Sequence, residues 1–238
     1  MGAIETVLVA NRGEIAVRVM SAAKVMGLKT VAVHSIPDSR ALHTRTADIA
    51  VSLGGMTAAE SYLNSAAILD AALKTGADAI HPGYGFLSEN NAFAAACLEA
   101  DILFIGPPPS AVRIMGDKAL AKRAMLVAGV PCIPGYQGED QTNEILIQEA
   151  QEIGFPVMVK AAAGGGGRGM RLVDAANQLV QAVELARSEA ERAFGNSDLI
   201  IERAVKGARH VEVQVFADTY GNIIHLGERD CSLQRRHQ

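Results

Sequence analysis

Apolar and polar positions follow two rhythms along this chain, and the change between them falls near its middle. In the first half, short apolar runs stand at TVLVA (6–10), KTVAVHS (29–35), ADAIHPG (77–83) and ILFIG (102–106). Between them a 3.6-residue period predicts helices over Glu14–Met26, closed by Gly27, over Glu60–Lys74, ending at Gly76, and near Asn90–Glu99. Four β-type runs separated by helices predict an α/β fold with a parallel, doubly wound sheet. GPPPS (106–110) then breaks the chain, with Ser110 placed to cap a short helical turn, and Lys118–Ala128 reads as a further helix. The main boundary is expected between Gly129 and Gly138, within a stretch rich in glycine and proline.

The second half predicts an α+β arrangement. TNEILIQEAQEIG (142–154) is an amphipathic helix with Thr142 as its expected cap. PVMVKAA (156–162) and GMRLV (169–173) are two short strands around a run of glycines, followed by a long helix over 174–194 with Asp174 as its expected cap. DLIIERAV (198–205) is a strand. RHVEVQVFAD and NIIHLGERDCSLQ alternate around the turn TYGN, predicting a hairpin with His210, Glu212 and Gln214 on one face and Val211, Val213 and Val215 on the other.

Bulk properties narrow the chemistry. The chain has 238 residues, 49% of them hydrophobic, enough to bury a sizeable core. The formal net charge of -4, without basic runs interleaved with aromatics, argues against a nucleic-acid partner. Cys97, Cys132 and Cys231 are odd in number, far apart and outside any Cys-x-x-Cys spacing, so buried thiols in a reducing, cytoplasmic compartment are expected rather than disulfides or zinc. No apolar run is long enough to span a bilayer. The opening MGAIET fits the myristoylation pattern, but a strand beginning at Thr6 would leave no free arm to present Gly2, and lipidation is not expected.

KAAAGGGGRGM (160–170) is the stretch no folding argument asks for, since four consecutive glycines give up much backbone entropy on ordering and add nothing to a core. A P-loop would pass from strand into helix and carry Gly-Lys-Ser/Thr, whereas this loop runs into the strand-like MRLV. It reads as a hairpin tip whose amides can approach phosphate oxygens and which can swing as a lid. Lys160 at its root and Arg168 within it supply cations for a polyphosphate. Lys118 opens a helix, where a cation opposes the macrodipole, and a residue breaking a local rule invites a functional reading. Glu202 ends an apolar run, where its carboxylate and the flanking IIERAV could receive an adenine. ERDCSLQRRHQ packs Glu228, Arg229, Asp230, Gln234, Arg235, Arg236 and His237 where a strand should keep alternating, which suggests a floor for anions. NRGEIA and HPGYGFLSEN fall at carboxyl ends of predicted parallel strands, where open sheets collect ligands, yet no G-x-G-x-x-G supports a nicotinamide cofactor.

In order along the chain, ANRGEIAVRV, AIHPGYGFLSEN, FIGP…MGDK, GGGGRGM, RHVEVQV and ERDCSLQRRHQ resemble biotin carboxylase, a member of the ATP-grasp superfamily. The resemblance implies an amino-terminal pre-ATP-grasp α/β domain over 1–115, a linker helix over 116–137, an ATP-grasp lid over 138–203 and the start of the central ATP-grasp domain over 204–238. It implies ATP, Mg2+ and bicarbonate as participants and biotin as the carried substrate. The partners implied are a biotin carboxyl carrier domain, a carboxyltransferase subunit and a second copy of the chain. By residue, it assigns Lys118 and Lys160 to the ATP phosphates and Gly166 and Gly167 to the closing lid loop. Glu202, Arg203, Ala204 and Val205 would line adenine and ribose, while His210, Gln234 and His237 would lie at the nucleotide and bicarbonate end, Gln234 and His237 as the catalytic pair.

Ala162 and Ala163 depart from the serine and additional glycine that relatives often carry. The family's magnesium-binding glutamates, bicarbonate-binding arginine and general base are expected beyond Gln238, so the 238 residues alone are expected not to complete the reaction. GYQGEDQ looks closest to the methylcrotonyl- or geranyl-CoA carboxylase type. The alternatives are another ATP-grasp ligase, of carbamoyl-phosphate or purine-pathway kind, which RHVEVQV and QRRHQ disfavour, and a non-catalytic nucleotide-binding or scaffolding role.

Overall fold

A computed structural model describes residues 3–163 and 169–232. Contacts divide the chain into two compact units, Met1–Arg113 and Ile114–Gln238. The first unit holds strands β1 (Thr6–Val9), β2 (Lys29–His34), β3 (Ile49–Ser52), β4 (Ala79–His81) and β5 (Leu103–Phe104), with helices α1 (Gly13–Val25), α2 (Leu42–Thr46), α3 (Ser65–Thr75) and α4 (Asn91–Glu99) between them. All pairings are parallel in the order β3-β2-β1-β4-β5, which is the doubly wound sheet the apolar runs predict. β1 lies at its centre and every residue of TVLV is buried, because a parallel strand covered by helices on both faces has no polar side to present.

β3 and α2 were not anticipated by the pattern. β3, with the sequence IAVS, is an edge strand as short as β1 and apolar in composition, whose side chains alternate between half-buried and exposed. α3 starts five residues later than the periodicity predicts, because Asn64 caps it, accepting the Ala67 N–H at 3.1 Å. Asn90 caps α4 in the same way, through the Phe93 N–H at 2.9 Å.

At the carboxyl ends of β1 and β4, the crevice where an open sheet would take a ligand is tied shut by the chain itself. Asn11 donates through Nδ2 to the carbonyl oxygens of Pro82 at 2.8 Å and Tyr84 at 2.9 Å. Gly83 (φ +66°) makes that approach possible, since a Cβ there would lie 2.5 Å from Asn11 Nδ2. Within this unit NRGEIA and HPGYGFLSEN therefore hold one another.

The second unit opens with α5 (Pro109–Gly116) and α6 (Lys118–Val127), followed by β6 (Gly135–Tyr136), α7 (Asn143–Ile153), β7 (Val157–Ala161), β8 (Met170–Val173), α8 (Leu179–Phe194) and β9 (Leu199–Arg203). The strands form an antiparallel sheet in the order β6-β9-β7-β8. Val157, Val159, Ala161, Leu199 and Ile201 face a core completed by Leu146 and Ala150 of α7 and Leu179, Val183 and Ala186 of α8. The Gly129–Gly138 boundary expected from composition lies inside this unit, because α6 is hydrogen-bonded to residues of β7 and β9.

Three expected caps differ in detail. Ser110 lies inside α5 rather than before it. Thr142 occupies the cap position of α7, but its hydroxyl turns back to Asp140 at 2.8 Å. Asp174 does not cap α8, which begins after a 3-10 turn over Ala176–Gln178; its carboxylate instead accepts from Lys206 at 2.9 Å.

The last elements, β10 (Val211–Ala217) and β11 (Ile223–Asp230), form the expected antiparallel hairpin. An irregularity between Val213 and Val215 shifts its register, so the simple alternation of faces does not run unbroken. The thiols are free; Cys97 and Cys231 are buried as expected, whereas Cys132 is half-exposed. Among the described residues no helix is long and apolar enough to cross a membrane.

Candidate nucleotide-phosphate site

The register of β7 and β9 places the two residues at the heart of the site. Lys160 pairs with Ile200 and Met158 with Glu202, so all four side chains share the face of the sheet opposite the core. Lys160 and Glu202 are diagonal neighbours on that face, and the ammonium reaches Glu202 Oε2 at 2.5 Å.

α6 delivers two further lysines to the same place. Asp117 caps the helix, accepting the Leu120 N–H at 2.9 Å, and its carboxylate complements the helix dipole that Lys118 opposes. The start of the helix is pinned to the chain just after β7 by a bridge between Asp117 and Ala163 and by Lys118 N–H donating to the Ala162 carbonyl at 3.1 Å. Lys118 Nζ reaches the Ala161 carbonyl at 3.4 Å. One turn on, Lys122 donates to Glu202 Oε1 at 2.8 Å. Each carboxylate oxygen of Glu202 therefore receives one ammonium.

Burial makes these charges matter. The side chains of Lys122, Glu202 and Lys160 are only 8%, 12% and 22% exposed. Burial works against ionising Glu202, but the hydrogen bonds and charges of Lys122 and Lys160 outweigh it and hold the carboxyl below its ordinary range. Burial, and then the positive charge of Lys160, lower the pKa of Lys118, while Asp117 works the other way. Partly desolvated ammonium groups brought this close favour an arriving anion, and a chain of phosphates fits them. The cluster offers a magnesium ion little, since its one central carboxylate is already ion-paired twice.

Lys122 was not singled out from the sequence. Gly135 leaves room beside it: a Cβ there would lie 2.3 Å from the Ile201 carbonyl and 2.7 Å from Lys122 Nζ. The i+4 spacing of Lys122 from Lys118 is the one sequence signal that could have found it.

Lys118, Lys160 and Glu202, selected from the sequence, are thus brought together. Arg203 follows Glu202 and so points to the core side, where its guanidinium donates to the Ile153 carbonyl at the end of α7. Ala204 donates its N–H to the Pro156 carbonyl at 2.9 Å, and Val205 is exposed. His210 stands at the foot of β10, where its N–H donates to Ser232 Oγ at 3.0 Å. Gly166, Gly167, Arg168, Gln234 and His237 lie outside the described residues.

Near His210, ligand-type atoms of His210, Glu212 and Cys231 lie within 4.8 Å of one another. Glu212 is already ion-paired with Arg229 at 2.5 Å. Burial, then the Glu212 carboxylate, push the Cys231 thiol above its ordinary pKa, and both conditions oppose metal capture.

Residues 3–112 match the family described as "Biotin carboxylase, N-terminal domain", and residues 117–238 match "Carbamoyl-phosphate synthase L chain, ATP binding domain". The chain belongs to the biotin carboxylase family. It is 58% identical over 236 residues to the methylcrotonoyl-CoA carboxylase subunit alpha of Oryza sativa subsp. japonica, covering 99% of this chain and 32% of that protein. It is 53% identical over 234 residues to the biotin carboxylase of Nostoc, covering 98% of this chain and 52% of the relative. Among solved structures, a biotin carboxylase from Campylobacter jejuni in complex with β,γ-ATP superposes with a TM-score of 0.94 at 50% identity, over 99% of this chain and 53% of that one. The chain thus spans about a third of the length of the first of these curated relatives and about half of the second. The family supports the α/β fold with an ATP-grasp unit and places the ammonium cluster in the part matched as ATP-binding.

Proposed function

We propose that the protein containing this chain uses ATP and bicarbonate to carboxylate biotin on a carrier protein, the first half-reaction of an acyl-CoA or related carboxylase. The observation that carries this reading is the pairing of Lys122 and Lys160 with one buried carboxylate, with Lys118 beside them on the Ala161 carbonyl, at the root of a glycine-rich hairpin, in a chain of this family. Bicarbonate oxygen would attack the γ-phosphorus of ATP, giving carboxyphosphate and ADP; the carboxyl group then passes to a ureido nitrogen of biotin, and phosphate leaves. Lys118 and Lys160 would hold phosphate oxygens and neutralise charge that builds up as the bond to ADP breaks. Gly166 and Gly167 would close over the phosphates and exclude water.

Glu202, Arg203, Ala204 and Val205 are assigned to adenine and ribose. Because the Arg203 side chain is committed to Ile153 and Val205 is exposed, their backbone is the better candidate for ring contacts. His210, Gln234 and His237 are assigned to the far end of the nucleotide and to bicarbonate. Magnesium would supply positive charge to the phosphates and would be held by carboxylates outside the ammonium cluster. The domain reading follows: 1–115 as the amino-terminal domain, 116–137 as linker, 138–203 as lid and 204–238 as the opening of the central domain. A carrier domain, a carboxyltransferase and a second copy of the chain are the proposed partners, in the reducing cytoplasm that three free thiols suit.

The test uses the full-length protein with free biotin. Bicarbonate-dependent release of ADP and phosphate, lost on Lys160→Ala, is the expected result. ATP cleavage indifferent to bicarbonate and biotin would overturn the reading in favour of another ATP-grasp ligase.

A further inference from the structure

Lys122 and Lys160 share Glu202 but are not equivalent. Lys122 is the more buried, at 8% against 22%, and it rises from a helix whose start is pinned by the bridge between Asp117 and Ala163. Lys160 comes from the strand that leads directly into the glycine-rich loop. A lysine bonded to Glu202 at 2.5 Å cannot also give its full charge to a phosphate. If it left, a carboxylate only 12% exposed would stand in a poorly solvated place and would need another positive partner to stay ionised.

We infer that Lys122 is the resident counter-ion of Glu202, a positioning residue that keeps this carboxylate ionised while Lys160 transfers from it to the nucleotide. This rests on the nucleotide reading of the site. The charged groups facing Glu202 are Lys122 and Lys160, with Lys118 and Asp117 beside them on α6; its neighbour on β6 is Gly135, which brings no charge. With Lys122 in place, nucleotide binding moves Lys160 without changing the protonation of Glu202. Without Lys122, the carboxyl abandoned by Lys160 takes up a proton, and binding becomes coupled to pH.

The decisive measurement is calorimetry of ADP or a non-hydrolysable ATP analogue with the full-length protein, in buffers of different ionisation enthalpy between pH 6 and 8. Wild type and Lys122→Arg should bind with no proton uptake assignable to Glu202. Lys122→Met should take up close to one additional proton, its affinity falling about tenfold for each unit rise in pH. Binding by Lys122→Met that matches wild type in affinity and proton count overturns the inference, as does an affinity loss that is constant with pH and not rescued by arginine.

A second arm needs no nucleotide. Lys160→Met imitates the released state, and with Lys122 present it should leave unfolding stability level from pH 6 to 8. In Lys160→Met/Lys122→Met, Glu202 would be protonated when folded and ionised when unfolded, so stability should fall as pH rises through that range. Equal profiles for the two variants would overturn the counter-ion role whatever ligand the site takes. Failure of wild type to bind any nucleotide, with the second arm as expected, would instead refute the nucleotide reading and the hand-off while leaving the charge pairing standing.

Discussion

Glu202 and Lys160 stand diagonally across adjacent antiparallel strands and meet at 2.5 Å, on the face of the sheet opposite Val157, Val159 and Ile201. The other oxygen of the same carboxylate is held by Lys122 from a helix 80 residues earlier in the chain. Replacing this shared anion should therefore be costly. Glu202→Gln leaves two poorly solvated ammonium groups around a neutral amide, and a loss of ~3–5 kcal/mol is expected on the scale of broken buried pairs. Urea unfolding at pH 7 checks it; a loss below about 1 kcal/mol would mean that the lysines swing out to water.

The same pairing fixes a pH dependence. The folded pKa of Glu202 is lowered, so its contribution to stability is complete above the unfolded carboxyl range, near pH 4.3, and is lost as pH falls through the folded value. Between pH 5 and 3 the stability gap between wild type and Glu202→Gln should narrow, since the wild-type carboxyl becomes neutral as well. A gap that stays constant over that range would show that Glu202 does not titrate with folding.

Asp48 gives a parallel case in the first unit. Its carboxylate accepts from the Thr30 N–H at 2.9 Å and hydroxyl at 2.7 Å and from Lys24 at 3.0 Å, joining the start of β2 to the turn before β3. The Thr30 hydrogen bonds, hydroxyl first, and then Lys24 bring its pKa down to about 2. Asp48→Asn should be less stable than wild type at pH 6, with the difference shrinking as pH falls from about 4 towards 2. Parallel stability curves for the two proteins would contradict the bonding.

Where the sequence was legible, one local rule was enough. Continuous apolar runs announced the buried parallel strands, and PVMVKAA announced β7. The glycine run between two strands separated a hairpin from a P-loop. The edge strand β3 carries an apolar signal of its own in Ile49, Ala50 and Val51, so nothing physical in the sequence hid it. Lys122 was missed for a physical reason: on a helix that mixes alanine with basic residues, a lysine looks solvated, and only the sheet brings Glu202 to it. Glu202 itself was selected as an acceptor for adenine, yet both of its oxygens hold lysines. Long-range charge pairing leaves no periodic trace, which is why the members of the cluster were legible and their partnership was not.

Lys160→Ala should separate binding from folding. Its partner Glu202 keeps Lys122, so no charge is left buried alone, and a stability loss of about 1 kcal/mol is expected rather than the larger cost of orphaning an ion. Nucleotide affinity of the full-length protein should fall by at least ~10-fold, the weight of one charge-assisted contact to phosphate. Unchanged affinity by calorimetry would remove Lys160 from the nucleotide site.

Gly135→Ala tests whether the cluster depends on an absent side chain. The backbone at Gly135 is not in the left-handed region, so any effect is steric. The new methyl would press on the Ile201 carbonyl at 2.3 Å, on Lys122 Nζ at 2.7 Å and on the Glu202 Cα at 3.0 Å. The lysine tip can yield but the strand cannot, so β6 must separate from β9, and a destabilisation of ~1–3 kcal/mol is expected from such overpacking. Lys122→Met in the same background relieves only the contact with the ammonium. The double variant should therefore recover little of the loss, because the clash with the Ile201 carbonyl remains. Full recovery would show instead that the lysine, and not the strand pairing, is what requires glycine at this position.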